Sequence, residues 1–168
     1  LILIPLSFLV IIEGSYLFKI FLVVIFFISI FEWRYISKNK SYQYIGYLFL
    51  FLSFFSVFKI RFDFGYSYLP LLIIVIICIL TDIGGYVFGK VFKGPKLTKY
   101  SPKKTYAGSV GSFILSLCII PFILYFQLII YSNLFKLIAI VVIISLISQI
   151  GDIIISYYKR ASNLKDSG

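Results

Sequence analysis

The sequence predicts an all-α, polytopic integral membrane protein, a helix bundle with about six spanning segments. Hydrophobic residues make up 61% of the 168 residues, whereas soluble domains contain about 45–50%. These residues are grouped into long runs, several of which approach the roughly 20 residues that a spanning helix needs. Since no polar stretch is long enough for a separate soluble domain, we expect residues 1–168 to form a single transmembrane domain.

Six apolar segments follow one another along the chain. They are Leu1–Ile12 (incomplete), Tyr16–Phe31, Tyr42–Phe58, Tyr68–Phe88, Gly108–Ile130 and Leu134–Tyr157. The second and third are short, so we expect them to stand nearly upright or to be flanked by interfacial tyrosines and Trp33. Methionine is absent even at residue 1, and we therefore expect the chain to be a fragment that lacks the N-terminus of a longer protein.

The lysines and arginines predict how the segments are oriented. The stretches 32–41, 89–107 and 158–168 carry twelve of the sixteen basic residues, and Lys19, Lys59, Arg61 and Lys136 are the other four. Because basic residues collect in cytoplasmic loops, the first set is expected to face the cytoplasm from the cell inner membrane. The net charge of +10 is then explained by basic loops that contact anionic lipid headgroups. Nucleic acid is therefore not expected as a partner.

The side chains that are missing exclude several kinds of chemistry. The chain has no histidine, and both cysteines, Cys78 and Cys118, lie inside apolar runs. An imidazole base, a Cys/His zinc cluster and a reactive thiol are therefore excluded within this chain. Carboxylates, lysines, arginines and hydroxyls remain, and these groups suit hard cations and phosphates.

The first candidate site residue is Asp82, at the end of the fourth segment. A charged residue costs about 2.5–3.5 kcal/mol at the centre of a spanning helix, so Asp82 is expected to be functional or paired. Nearby, Gly85 and Gly89 could instead form a close helix-packing face. The stretch 84–90 also reads G-x-x-x-x-G-K, but we reject a phosphate-binding loop because Val91 replaces the magnesium-binding Ser/Thr and no strand precedes it.

The second candidate is the run Ser101-Pro102-Lys103-Lys104-Thr105. Its lysine content alone predicts no more than a cytoplasmic loop. The order of its residues adds information, since a rigid Ser-Pro start is followed by two lysines and a hydroxyl just before the next apolar segment. Such a run could present ammonium groups and a helix N-terminus to a polyanion.

The third candidate is the end of the last apolar segment. Asp152, Ser156 and Lys159 recur at intervals of four and three residues, so on a helix they share one face. An aspartate inside the span needs a cation, either a metal ion or a lysine, and Asp166 could join it. The alternative is that Lys159 and Arg160 merely end the helix at the headgroups.

Together these segments resemble the prokaryotic CDP-diacylglycerol synthases (phosphatidate cytidylyltransferases). The run that begins at Asp82 is similar to the family's Asp-x-Gly/Ser-Ala-Tyr-x-x-Gly-Lys/Arg, and residues 101–108 are similar to its Ser-Pro-Lys-Lys-Thr-Trp-Glu-Gly. Residues 151–168 resemble the first half of the family signature. The signature continues with Pro-x-His-Gly-Gly, so the resemblance implies that the fragment lacks the C-terminus as well. Phe31-Glu32-Trp33 is similar to an early Glu-Trp. Tyr106 and Ala107 depart from the family's Trp and Glu.

The resemblance implies that the domain is catalytic and transfers CMP from CTP to phosphatidate, giving CDP-diacylglycerol and pyrophosphate in phospholipid biosynthesis. It implies Mg²⁺ as cofactor, held by Asp82, Asp152 and Asp166, with a second cation left open. Lys165 is expected to be catalytic together with these carboxylates, by binding the triphosphate or the lipid phosphate. The residues expected to bind substrate phosphates are Ser101, Lys103, Lys104, Thr105, Ser156, Lys159 and Arg160. CTP, a phosphatidate lipid and the membrane are the expected partners, and a homodimer is left open.

Two alternatives stay open at this point. Another CTP-dependent membrane lipid enzyme, of the CDP-archaeol synthase or polyprenol kinase type, would use the same chemical groups. An ion-coupled transporter would instead place Asp82 and Asp152 on an ion path. The transporter predicts ion-dependent uptake without any use of CTP.

Overall fold

The computed structural model describes residues 3–14, 16–38, 40–63, 67–99, 101, 104–128 and 133–162. Within these ranges the regular structure is helical, apart from an isolated bridge between Lys96 and Thr105. The helices are α1 (Leu3–Glu13), α2 (Tyr16–Ile36), α3 (Gln43–Asp63), α4 (Leu69–Phe92), α5 (Tyr106–Leu117), α6 (Ile119–Tyr125) and α7 (Leu134–Ala161). The predicted all-α class is confirmed.

Five stretches are long and apolar enough to cross a membrane. They are α2, α3, α4, α7, and α5 with α6 taken together as Tyr106–Tyr125. Many of their large apolar side chains, such as Phe27, Leu48 and Ile147, are exposed, as expected of side chains that face lipid. The polytopic membrane architecture is therefore confirmed, and the segment predicted to be incomplete corresponds to α1, which has 11 residues.

The helices α2 and α3 are longer than their apolar runs suggested. Each has 21 residues and continues beyond Phe31 or Phe58 through several charged positions. Charged side chains at the end of a spanning helix can reach the interface, and Lys59 also pairs with Asp63 one turn later at 3.5 Å. For the same reason α7 continues past Tyr157 through Lys159 and Arg160.

The predicted segment Gly108–Ile130 is two helices, since α5 ends at Leu117 and α6 begins at Ile119. Pro121 explains the break, because proline has no backbone N–H and its ring clashes with the carbonyl four residues earlier, here that of Leu117. The backbone N–H of Cys118 instead donates to the Leu115 carbonyl three residues back, at 3.2 Å.

The chain divides into two compact units, one formed by residues 1–72 and 161–168 and the other by residues 73–160. In the first unit α2 packs against both α1 and α3. Trp33, expected at the membrane interface, is buried, and its Nε1 donates to the Gln43 carbonyl at 2.9 Å. The Nε of buried Arg61 donates to the Ile11 carbonyl at 3.1 Å. The single catalytic domain over 1–168 stays a prediction.

The second unit contains most of α4 and α7 together with α5 and α6. Its core is aliphatic and consists of Ile73, Ile77, Ile119, Ile120, Ile123, Leu137 and Val141. Buried aliphatic packing of this kind gives a rigid frame, because well-packed interiors tolerate little rearrangement. The polar residues of the same helices lie beyond this core, toward the end of α4 and of α7.

Candidate functional site

A cavity of about 240 Å³ lies within the second unit. Its polar lining comes from Thr81 and Asp82 on α4, Lys104 and Thr105 before α5, Ser109 and Ser112 on α5, and Gln149 and Asp152 on α7. Pockets that enclose a whole small-molecule ligand usually measure about 300–1,000 Å³. This cavity is thus large enough for part of a substrate.

An ion pair crosses the cavity from the loop to α7. The Nζ atom of Lys104 lies 2.7 Å from Oδ2 of Asp152, and the two side chains are 30% and 53% exposed. Asp82 interacts electrostatically with both partners. Two carboxylates against one ammonium leave a net negative charge, which a cation would neutralise. The predicted partner of Asp152 is either a metal ion or a lysine, and its partner among the described residues is Lys104.

Backbone hydrogen bonds hold Lys104 in place. Its carbonyl accepts from the N–H of Leu97 at 2.8 Å, and its own N–H donates to the Ser101 carbonyl at 3.0 Å. Nearby, the N–H of Tyr106 donates to the Pro95 carbonyl at 3.2 Å. The two ends of the segment from 95 to 106 are therefore tied together, so the lysine side chain begins from a fixed backbone position.

Glycines bring α4 against α5 beside the cavity. A Cβ on Gly84 would lie 2.5 Å from the Gly111 carbonyl oxygen, and one on Gly108 would lie 2.6 Å from the Gly85 carbonyl oxygen. Both distances are shorter than real Cβ atoms show. The backbones of α4 and α5 therefore lie closer together than any residue with a side chain would allow at these positions. Gly85 and Gly89 also face α5 closely, so the packing face predicted for them is present. Residues 84–90 are helical, which agrees with the rejection of a phosphate-binding loop.

A network of hydrogen bonds between polar side chains links α4, α5 and α7 beside the cavity. The Thr81 hydroxyl donates to Ser145 Oγ at 3.0 Å, Gln149 Nε2 donates to the same oxygen at 3.5 Å, and the Ser109 hydroxyl donates to Gln149 Oε1. In addition, the Ser112 hydroxyl donates to the Thr81 carbonyl at 2.7 Å. Hydrogen bonds between helices hold these segments together in the membrane. This network therefore holds the positions of the residues that neighbour Asp82 and Asp152.

Thr105 has a structural role that the sequence analysis did not anticipate. It is the N-cap of α5, and its Oγ1 accepts a hydrogen bond from the Gly108 N–H at 3.1 Å. Since the Tyr106 N–H is also engaged, the helix N-terminus offers fewer amide donors to an anion than expected. The Thr105 hydroxyl can still donate its proton, and it lines the cavity.

The structure brings together Asp82, Lys104, Thr105 and Asp152 among the predicted site residues. Ser101 supports Lys104 through its carbonyl. Ser156, Lys159 and Arg160 continue α7 beyond Asp152 and do not line this cavity. Lys103, Lys165 and Asp166 lie outside the described residues.

Several site residues were not predicted, among them Thr81, Ser109, Ser112, Ser145 and the aromatic Tyr86. A signal for them exists in the sequence, because hydroxyl side chains inside apolar runs are candidates for contacts between helices.

The predicted magnesium site can be tested against the donors that are present. Among the described residues there is no group of three His, Cys, Asp or Glu side chains that could hold a metal ion. Asp82 and Asp152 supply two carboxylates in one cavity. Because Mg²⁺ is usually held by one or two carboxylates together with substrate phosphates and water, the residues fit this ion.

Comparison with known proteins identifies relatives of this chain by sequence. A model of the cytidylyltransferase family matches residues 44–168. The chain is 39% identical over 90 residues to a phosphatidate cytidylyltransferase from Staphylococcus haemolyticus, covering 53% of the chain and 34% of that protein. It is 41% identical over 105 residues to one from Rickettsia conorii, covering 58% and 46%. The matched part therefore spans less than half of these relatives, and no solved structure matches the chain.

Proposed function

We propose, since the chain belongs to the cytidylyltransferase family, that it is part of a CTP:phosphatidate cytidylyltransferase. The enzyme would transfer CMP from CTP to phosphatidate and produce CDP-diacylglycerol and pyrophosphate. Curated relatives that carry the name phosphatidate cytidylyltransferase, at 38–41% identity, support this choice of substrates.

The observation that carries the proposal is the Lys104–Asp152 pair beside Asp82. An ammonium group binds phosphate, and paired carboxylates favour a divalent cation. Both kinds of group face one cavity at the end of apolar helices. This combination suits the phosphates of a nucleoside triphosphate and of a phospholipid headgroup, whereas an ion path through the membrane does not need the lysine.

The chemistry that these residues would support is a displacement at phosphorus. A phosphate oxygen of phosphatidate forms a bond to the α-phosphorus of CTP, and the bond from that phosphorus to the bridging oxygen breaks, so that pyrophosphate leaves with the electron pair. Both reactants are anions, so catalysis consists mainly of positioning and charge neutralisation. The attacking oxygen is already ionised near neutral pH, and no strong general base is needed.

Lys104 would bind a phosphate group and leave Asp152, and Thr105 would donate its hydroxyl proton to a phosphate oxygen. When bound, Mg²⁺ would neutralise phosphate charge and stabilise the leaving pyrophosphate, with Asp82 and Asp152 among its ligands. The resemblance supports further roles. We propose that substrate phosphates are also bound by Lys103, Lys159, Arg160, Lys165, Ser101 and Ser156. We propose Asp166 as a further ligand of the metal ion.

We also propose that the protein lies in the cell inner membrane with this cavity facing the cytoplasm. The loop from 93 to 105 carries Lys104, and basic residues are retained on the cytoplasmic side. CTP is made in the cytoplasm, so this orientation would give the enzyme direct access to its nucleotide.

The experiment that tests the function is an assay of membranes that contain the complete protein. Labelled CTP and phosphatidate are added with Mg²⁺, and the lipid fraction is examined for labelled CDP-diacylglycerol. We expect labelled lipid that disappears when EDTA is added. In parallel assays that supply the archaeal ether-linked acceptor lipid or a polyprenol, with CTP labelled in the cytidine or in the γ-phosphate, CDP-archaeol or phosphorylated polyprenol formed in place of CDP-diacylglycerol would reassign the substrate. Ion uptake without use of CTP would refute the proposal.

A further inference from the structure

Tyr86 is the aromatic residue among those that line the cavity, and the mechanism above does not use it. Its side chain is 68% exposed, although it lines the same cavity as Asp82 and Lys104. It follows Asp82 by four residues on α4, so the two side chains lie on one face of the helix, one turn apart. The ring is thus placed beside the charged groups with much of its surface uncovered.

The position of this ring is set by its neighbours on α4. Gly85 and Gly89 face α5, where a Cβ on Gly85 would lie 2.9 Å from Ser112 Oγ. This close packing fixes the helix backbone on either side of Tyr86. One turn further on, the Lys90 ammonium lies 5.7 Å from the centroid of the Tyr86 ring, a cation–π distance that holds positive charge next to the aromatic face.

The spacing along α4 matches the dimensions of a nucleotide. Four residues of α-helix rise by about 6 Å, which is comparable to the distance that a ribose places between the α-phosphorus and its base. A nucleotide with its α-phosphate beside Lys104 and Asp82, and its ribose directed toward the end of α4, would bring its base to the level of Tyr86. An aromatic ring binds any nucleobase through stacking, because every base has a π-face.

We propose that Tyr86 is the stacking platform for the base of the nucleotide substrate. This inference rests on the proposed function, since it assigns a binding role within the same cavity. Stacking contributes affinity without distinguishing one pyrimidine from another, so Tyr86 strengthens the binding of CTP and UTP alike. It contributes nothing to the binding of inorganic tripolyphosphate, which lacks a base.

The test compares two ligands on purified full-length protein in detergent or nanodiscs by calorimetric titration. For Tyr86→Leu we expect CTP binding to weaken by about tenfold, in the range measured for loss of one stacked base, with tripolyphosphate binding unchanged. Tyr86→Phe keeps the ring and should bind CTP nearly as the unaltered protein does. The matched control is Tyr125→Leu, which removes an exposed tyrosine from the end of α6, outside the cavity lining.

The outcomes separate this inference from the proposed function. Unchanged CTP binding by Tyr86→Leu, or an equal loss for CTP and tripolyphosphate, would overturn the stacking role while the cytidylyltransferase proposal stands. Failure of the unaltered protein to bind CTP would overturn the proposed function and the stacking role together. Loss confined to CTP, with rescue by phenylalanine, would support both.

Discussion

Lys104 and Asp152, which are 48 residues apart in the chain, form an ion pair of 2.7 Å between Nζ and Oδ2. Both side chains are partly exposed, and we propose that the pair serves the chemistry of the site. A substrate phosphate would take the place of Asp152 beside Lys104, and a metal ion would take the place of Lys104 beside Asp152.

The two carboxylates of the cavity should control the dependence on magnesium. In the complete protein, Asp82→Asn and Asp152→Asn keep the side-chain shape but remove the negative charge that attracts the cation. We expect Mg²⁺ affinity to fall by at least about 10–100-fold, the loss seen when residues that merely support metal ligands are removed. The measurement is turnover as a function of Mg²⁺ concentration, with Asp63→Asn at the end of α3 as control. Normal Mg²⁺ dependence in either cavity variant would remove that residue from the metal site.

Two fully buried serines should differ in their contribution to stability. Ser145 accepts hydrogen bonds from Thr81 and Gln149, whereas Ser116 donates to the Phe113 carbonyl of its own helix. Hydrogen bonds between membrane helices contribute about 0.6 kcal/mol on average and at most about 1.7. Ser145→Ala should therefore lower the free energy of unfolding in micelles measurably, and Ser116→Ala should have little effect. Equal losses of unfolding free energy in the two variants would contradict a stabilising role for the hydrogen-bond network around Ser145.

Replacing two helical glycines by alanine should affect the stability of the protein differently. A Cβ on Gly84 meets the Gly111 backbone, whereas one on Gly151 has nothing within 4 Å. Overpacking costs about 1–3 kcal/mol, while alanine is favoured over glycine in a helix by about 0.8–1 kcal/mol. Gly84→Ala should thus lower the unfolding midpoint in denaturant and Gly151→Ala should maintain or raise it. A tolerated Gly84→Ala would argue against the close contact of α4 with α5.

The proposed orientation can be tested by labelling introduced cysteines. Starting from a variant in which Cys78 and Cys118 are replaced by alanine, Lys99→Cys places a thiol in the loop that carries Lys104, and Lys136→Cys places one near the start of α7. We expect a membrane-impermeant maleimide to label residue 99 only in inside-out vesicles and residue 136 only in intact spheroplasts. The reverse pattern would place the cavity on the outer face.

Much of the site could be predicted from the sequence because its charges stand out in an apolar chain. Asp82, Lys104 and Asp152 are rare charged residues near the ends of apolar runs, and all three line the cavity. The role of Thr105 as a helix cap could not be predicted with the same certainty, since a hydroxyl before a helix suits either a cap or a phosphate. Ser156 and Lys159 have the right helical spacing, but spacing alone does not show how far a cavity extends along α7.

The hydrogen bonds among Thr81, Ser109, Ser145 and Gln149 could be predicted only in part, because the sequence marks polar residues inside apolar runs but does not show which residues they pair with. Each residue looks like an isolated polar position in an apolar run, and its partner lies on another helix. Which helices face each other depends on the glycine contacts between α4 and α5 and on the helix break before Pro121. These are long-range packing relationships, and the local pattern of residues does not encode them individually.

The central claim is that Lys104 and Asp152 act together in one nucleotidyl-transfer site. The most direct measurement is kcat/KM for CTP in the complete protein with Lys104→Ala, Asp152→Asn and both changes together, with Lys99→Ala as control for loop charge. Residues that act as a unit give non-additive losses, so the double variant should be no worse than the more damaging single variant. Losses that multiply, or near-normal activity in either single variant, would contradict the claim.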